Sequence, residues 1–261
     1  MRRNGTRHFK LRATQQMGRS CVFQHEITKT TTRMQTILII RHGYPLSWDQ
    51  KLKVRGADPH LRLDPTLADI GRVQGQATAA FIAQNGGASV VLSSPFRACL
   101  ETADLVAEAC SATVIPDWKI GNVLLSTVLG SPFSPGSSMD PDWLDRRKIA
   151  GKPTHPESDQ TINQRLTVVA RDLKTRKPLA QRIVIVTHDI IAKELLKHMT
   201  GRTLAIDWHP CAITTLTRAN VIDRHWKLVG LPATIQHLGD SDRCEPVEHI
   251  EHRYHPLDSR S

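Results

Sequence analysis

The chain has 261 residues, enough for one large α/β domain with a well-buried core. Its formal charge is +10, but residues 1–33 carry +7 of it: Arg2, Arg3, Arg7, Lys10, Arg12, Arg19, Lys29 and Arg33 stand against Glu26 alone. The rest of the chain is near neutral, which argues against a nucleic-acid-binding body, and no run approaches the roughly 18 apolar residues of a membrane helix.

The basic segment 1–33 has little hydrophobic periodicity and is expected to be a disordered extension. Three readings compete for it. Met34 is the true start, or the segment is an Arg- and Thr-rich targeting peptide, or it is an inert or binding arm. The five cysteines (Cys21, Cys99, Cys110, Cys211, Cys244) are odd in number and scattered, as for free thiols in a reducing compartment. A cytoplasmic location is expected, with organellar targeting by the basic segment as the alternative.

The β-branched run Thr36–Ile40 predicts a buried strand that ends on Arg41-His42-Gly43. Residues 44–65 read as a polar loop. Thr66 to Gln84 reads as a helix with apolar residues at 67, 70, 73, 77 and 81, stopped by Asn85-Gly86-Gly87. A strand at 89–92 leads into a helix from Pro95 to Cys110, with Ser94 as its N-cap and Pro95 in the first turn. A short strand at 112–115 follows.

Residues 121–157, with Pro132, Pro135, Pro141, Pro153 and Pro156, read as a long excursion over the active edge. A helix at 159–175 and a strand at 182–187 end on His188-Asp189, which opens a helix at 189–199. Strands near 211–217 and 225–229 close a domain spanning 34–230, with 231–261 as a tail. Alternation of this kind predicts an α/β three-layer sandwich, a mostly parallel sheet with helices on both faces. Neither the dinucleotide-binding nor the P-loop glycine pattern occurs.

Three segments in order carry a family resemblance: Arg41-His42-Gly43, Ser93-Ser94-Pro95-Phe96-Arg97 running on to Thr102-Ala103, and Val186-Thr187-His188-Asp189. Together they resemble the histidine phosphatase superfamily, which includes the cofactor-dependent phosphoglycerate mutases, over residues 35–218. Two further echoes are Asp64 to Gly71, similar to the family's D-x-x-L-T-x-x-G stretch, and Pro156-Glu157-Ser158 before a helix carrying Arg165.

The resemblance implies that His42 accepts the phosphoryl group, that Arg41, Arg97 and His188 hold the phosphate, and that neither metal nor cofactor is required. The residue chemistry agrees. Guanidinium groups match a phosphate dianion, and neighbouring cations keep an imidazole neutral and nucleophilic. An arginine in the first turn of a helix, as Arg97 would be, opposes the helix dipole unless an anion sits there.

Two positions depart from the mutase-like pattern. In Asp117-Trp118-Lys119-Ile120-Gly121-Asn122 the last residue stands where that branch places its proton-donating glutamate. His188-Asp189 is similar to the His-Asp pair of the acid phosphatase branch, whose aspartate is the proton donor. Asp189 is read either as the general acid or as a helix N-terminal residue favoured by the dipole.

The expected function is metal-independent hydrolysis of a small phosphorylated substrate through a phosphohistidine. The alternatives are a catalytically silent phosphate-binding member and a phosphomutase. Tyr44, Trp48, Arg55, Arg62, Trp118 and Trp143 are candidates to meet the organic group. Self-association, common in the family, is a partner option, whereas membrane and nucleic-acid partners are not expected. Cys244, His249, His252 and His255 match no standard zinc spacing and read as a solvated tail.

Overall fold

A computed structural model describes residues 34–48, 64–124, 127–128, 131–132, 139–149, 154–175, 182–219, 223 and 225–242. The expectations for the basic segment 1–33, for Arg55 and Arg62, and for the C-terminal Cys244, His249, His252 and His255 fall outside these residues.

The central sheet has six strands in the order β3-β2-β6-β1-β7-β8: β1 Gln35–Arg41, β2 Val90–Ser93, β3 Thr113–Pro116, β6 Arg182–Thr187, β7 Ile213–Arg218 and β8 Lys227–Thr234. β3, β2, β6 and β1 are parallel neighbours, and β7 runs antiparallel to both β1 and β8. A separate two-stranded ribbon, β4 Thr127–Val128 and β5 Ser131–Pro132, lies in the excursion.

Both faces of the sheet are covered, which is why β1 and β6 read as unbroken apolar runs instead of alternating ones. On one face Leu38, Ile40, Val184 and Val186 pack against α1 (Asp69–Gln84) and α2 (Arg97–Cys110). On the other, Ile37, Ile39, Ile183 and Ile185 pack against α4 (Asp159–Thr175) and α5 (Asp189–Thr200). Each such side chain, fully buried, contributes roughly 1.5–3 kcal/mol. The α/β sandwich with helices on both faces is therefore as the sequence implies. No helix among the described residues is long and apolar enough to cross a membrane.

Three local readings differ. The second helix begins at Arg97, not Pro95, with Phe96 in the cap position and no side-chain cap from its own segment. The excursion contains a short helix, α3 (Pro141–Arg146), because Asp140 accepts from the Asp142 and Trp143 amides and Pro141 suits the first turn. The folded chain also continues past 230. β8 runs through Pro232 to Thr234, tolerable on an edge strand, and Leu238 beyond it is buried.

Candidate active site

The parallel pairing of β1 with β6 places Arg41 opposite Thr187, so the next residues of the two strands, His42 and His188, leave the sheet side by side. The His42 amide donates to the Thr187 carbonyl (3.0 Å), and the Ser94 amide at the end of β2 donates to Val186 O (2.9 Å). These bonds splice the ends of three strands into one edge, the position where open α/β sheets bind ligands.

The turn after His42 depends on close backbone approach. A Cβ on Gly43 would lie 2.6 Å from the Gly71 carbonyl oxygen, and one on Gly71 would lie 2.2 Å from that of Tyr44. The Gly43 amide donates to Thr102 Oγ1 (3.0 Å), and the Tyr44 amide to Gln74 Oε1 (3.1 Å). The Asp64–Gly71 stretch thus acts as the platform on which the Arg41-His42-Gly43 turn rests, and Thr102 of α2 pins it.

His42 Nδ1 lies 2.8 Å from the Gly43 carbonyl, an arrangement that requires Nδ1–H to donate and leaves Nε2 with its lone pair. Burial, followed by the nearby Arg41 charge, lowers the His42 pKa to about 4. The ring is therefore neutral, as a nucleophile must be. His188 contacts it edge to face, with centroids 5.1 Å apart. Its Nε2 meets Ser94 Oγ at 2.8 Å and Cys99 Sγ at 3.4 Å, and burial lowers its pKa well below the ordinary value. Burial pushes the Cys99 thiol up, so it remains a thiol. Ser94, expected as a helix cap, orients His188, and its Oγ also accepts the Phe96 amide at 3.4 Å.

Arg41 is buried, and one of its Nη atoms donates to the Trp208 carbonyl, while Nε has no hydrogen-bond partner among the described residues. Its guanidinium lies 4.8 Å from the Trp48 ring. Burial lowers its pKa, and the charges of Asp189 and Asp207 offset this. Arg41, His42 and His188 are thus brought together.

Arg97 is placed differently. Its Nη2 donates to Asp140 Oδ2 (2.6 Å), Nε is 3.9 Å from Asp64 Oδ2, and the guanidinium lies 5.2 Å from the Trp143 ring. The electrostatic cost of an arginine at a helix N-terminus is met by two carboxylates. One of them, the fully buried Asp64, also accepts the Arg97 amide at 2.8 Å and so caps α2 from 33 residues away. Among the described residues Arg97 shows no hydrogen bond or ion pair to His42 or His188.

Asp189 opens α5 and is ion-paired with Lys193 at 2.9 Å, one helical turn on. Asn122 accepts the Val123 amide on Oδ1 (2.9 Å), which makes its side chain part of the local loop. Arg165 and Glu157 form a forked pair (2.7 and 3.1 Å). The same guanidinium donates to the carbonyls of Lys119, Gly121 and Asn122, clamping the segment after β3.

Of the aromatic candidates, Trp48 lies 6.3 Å from the His42 ring, Tyr44 packs on Trp48, and Trp118 packs on Phe96. Trp143 stacks under Arg97 and Arg147, away from any described contact with the two histidines. Sequence reasoning missed the Trp208 carbonyl, Ser94, Cys99 and Thr102 as site residues. Of these, Ser94, Cys99 and Thr102 lie inside the 93–103 motif, and Trp208 has no motif to mark it.

Over 164 residues the chain is 28% identical to phosphoglycerate mutase-like protein 4 of Arabidopsis thaliana, covering 61% of this chain and 68% of that one. It is 29% identical over 143 residues to a bifunctional protein of Mycobacterium tuberculosis, of which the match spans 36%. A mycobacterial glucosyl-3-phosphoglycerate phosphatase has the same fold, with TM-score 0.54 and 19% identity over 77% of this chain and all of that one. The family model of the histidine phosphatase superfamily, branch 1, matches residues 37–234, and the chain belongs to that superfamily.

Proposed function

We propose that this chain is a phosphomonoester hydrolase that works through a phosphohistidine on His42. The observation that supports it most is the His42 ring itself: neutral, fixed through Nδ1 by the Gly43 carbonyl, and set between Arg41 and His188. In the first step the His42 Nε2 lone pair attacks phosphorus as the bond to the ester oxygen breaks. Arg41, through Nε and its remaining Nη, and His188 offset charge on the phosphoryl oxygens. The candidate acid gives its proton to the departing ester oxygen in that step. In the second step water attacks phosphorus and returns a proton to the same carboxylate, the P–N bond breaks, and His42 regains its lone pair. Arg97 joins the phosphate if its guanidinium shifts from the Asp140 carboxylate.

Hydrolysis is favoured over phosphoryl exchange because Asn122 provides no titrating proton and no second phosphate clamp stands at this edge among the described residues. Asp189 is the candidate acid. Phosphate release from small phosphomonoesters in the presence of EDTA, with wild type, His42→Ala and Asp189→Ala, tests the proposal. Turnover that survives chelation and vanishes in His42→Ala is expected, and turnover that His42→Ala retains overturns it.

A catalytically silent phosphate-binding member is the second reading, favoured by Asn122 and by the pairing of Asp189 with Lys193. Its signature is inorganic phosphate binding that depends on Arg41, with turnover at background for every ester.

A further inference from the structure

We infer that the site selects phosphomonoesters of apolar alcohols over anionic ones, with Trp48 forming the wall against which the leaving group packs. This rests on the phosphatase reading, and it follows from what surrounds the two imidazoles.

Aromatic rings flank the pair on both sides. Trp48 lies 4.8 Å from the Arg41 guanidinium and 6.3 Å from the His42 ring. Tyr44 meets Trp48 edge to face at 5.5 Å, and its hydroxyl donates to the Trp48 carbonyl at 3.0 Å, which locks the 46–48 turn. Phe96 packs edge-on against His188 at 5.1 Å, backed by Trp118 at 6.5 Å. Rigid rings with two side-chain torsions order at low entropic cost and offer a large apolar face.

Charge points the same way. Arg97 is balanced by Asp140 and Asp64, and Arg165 by Glu157. Among these three arginines, Arg41 has no carboxylate within ion-pair distance in the described residues, and the fields of Asp189 and Asp207 already bear on it. With both histidines neutral, Arg41 is the one of these three guanidiniums left to meet the phosphate dianion. Among the three no second guanidinium is left uncompensated, so a carboxylate or second phosphate on the substrate would be desolvated beside them at a cost. An alkyl or aryl group would instead cover Trp48.

The test uses the full chain and esters of primary alcohols: benzyl and n-hexyl phosphate against 2-phosphoglycolate and 3-phosphoglycerate. A kcat/KM at least about tenfold higher for the apolar pair is expected. Trp48→Ala should erase that preference through KM while inhibition by inorganic phosphate persists, and Trp48→Phe should restore it. Equal or better use of 3-phosphoglycerate, or a preference that survives Trp48→Ala, overturns the inference.

If no ester is turned over, the phosphatase reading fails by itself, and the pocket is then read by calorimetry with benzylphosphonate against 3-phosphoglycerate. Tighter binding of the phosphonate by about tenfold, lost in Trp48→Ala and kept in Trp48→Phe, sustains the selectivity. Equal or weaker binding ends it.

Discussion

His42 and His188 touch edge to face, 5.1 Å between ring centroids, although each closes a different strand. The contact is fixed by the in-register pairing of β1 with β6 and by the His42 amide bond to Thr187. Two imidazoles this close, beside a buried guanidinium, cannot both carry a proton cheaply.

The pH behaviour follows from that arrangement. Burial and Arg41 hold the His42 pKa at about 4, against about 6.5 for an unfolded histidine. The His42 imidazole is therefore neutral from about pH 5 upward, as the proposed nucleophile must be. The acid limb of kcat/KM is expected near 4 rather than 6.5, as read from a pH–rate profile at saturating ionic strength.

Stability carries the opposite side of the same linkage. The folded pKa is depressed, so between about pH 6.5 and 4 the unfolded chain binds the extra proton, and stability falls as pH drops through that window. His42 alone is expected to cost on the order of 3 kcal/mol by pH 4. Urea midpoints measured at pH 7, 5.5 and 4.5 check the slope, and His42→Ala should make it shallower while His188 and His237, whose pKa values are also lowered, keep the rest.

Gly71→Ala tests the platform beneath the reactive turn. Its Cβ would stand 2.2 Å from the Tyr44 carbonyl oxygen, which is backbone and must itself move. A loss of roughly 1–3 kcal/mol is expected from the overpacking. Because Tyr44 follows Gly43, activity should fall beyond what the unfolded fraction explains. Thermal melting together with kcat/KM well below the melting temperature separates the two effects.

Asp64 makes a third case. Its Oδ1 accepts the first amide of α2, and Oδ2 faces the Arg97 guanidinium from a fully buried position. Asp64→Ala is expected to cost about 2 kcal/mol, since it removes a charge-assisted bond, leaves the Arg97 amide short of a partner, and takes one of two carboxylates from a half-buried guanidinium that keeps Asp140. Asp64→Asn should cost less. The urea midpoints of the two variants order the effect.

Most of the framework was legible from local pattern. The runs Thr36–Ile40 and Ile183–Thr187, each ending on a histidine, mark strands buried on both faces, and the helix at 159–175 and the strand at 182–187 end where periodicity ends. What local pattern could not show was pairing across the chain. Ser94 has the chemistry of an N-cap and accepts the Phe96 amide at 3.4 Å, but its closer partner is His188, and Asp64, brought in by tertiary contact, takes the Arg97 amide. The sequence marks Arg97 only by its motif, and its ion pair with Asp140 of the excursion carries no local mark, since the two are 43 residues apart. The same holds for Arg41 and the Trp208 carbonyl.

Asp189 can be assigned by the leaving group it serves. It stands at the first position of α5 with its carboxylate on Lys193, where the helix dipole favours it whatever its chemistry. A general acid contributes about 10²- to 10⁴-fold when the departing alkoxide is basic, and little when the leaving group departs as a stable anion. Asp189→Asn keeps a polar side chain at the helix end and removes the titrating proton. It is expected to lower kcat/KM for n-hexyl phosphate by at least about 100-fold and for p-nitrophenyl phosphate by less than about tenfold. Lys193→Ala, which releases the carboxylate, should leave the alkyl ester rate intact. An equal, small loss on both esters in Asp189→Asn would assign this residue to the helix end and turn the search for the proton donor to Asp207, the other carboxylate whose charge reaches Arg41.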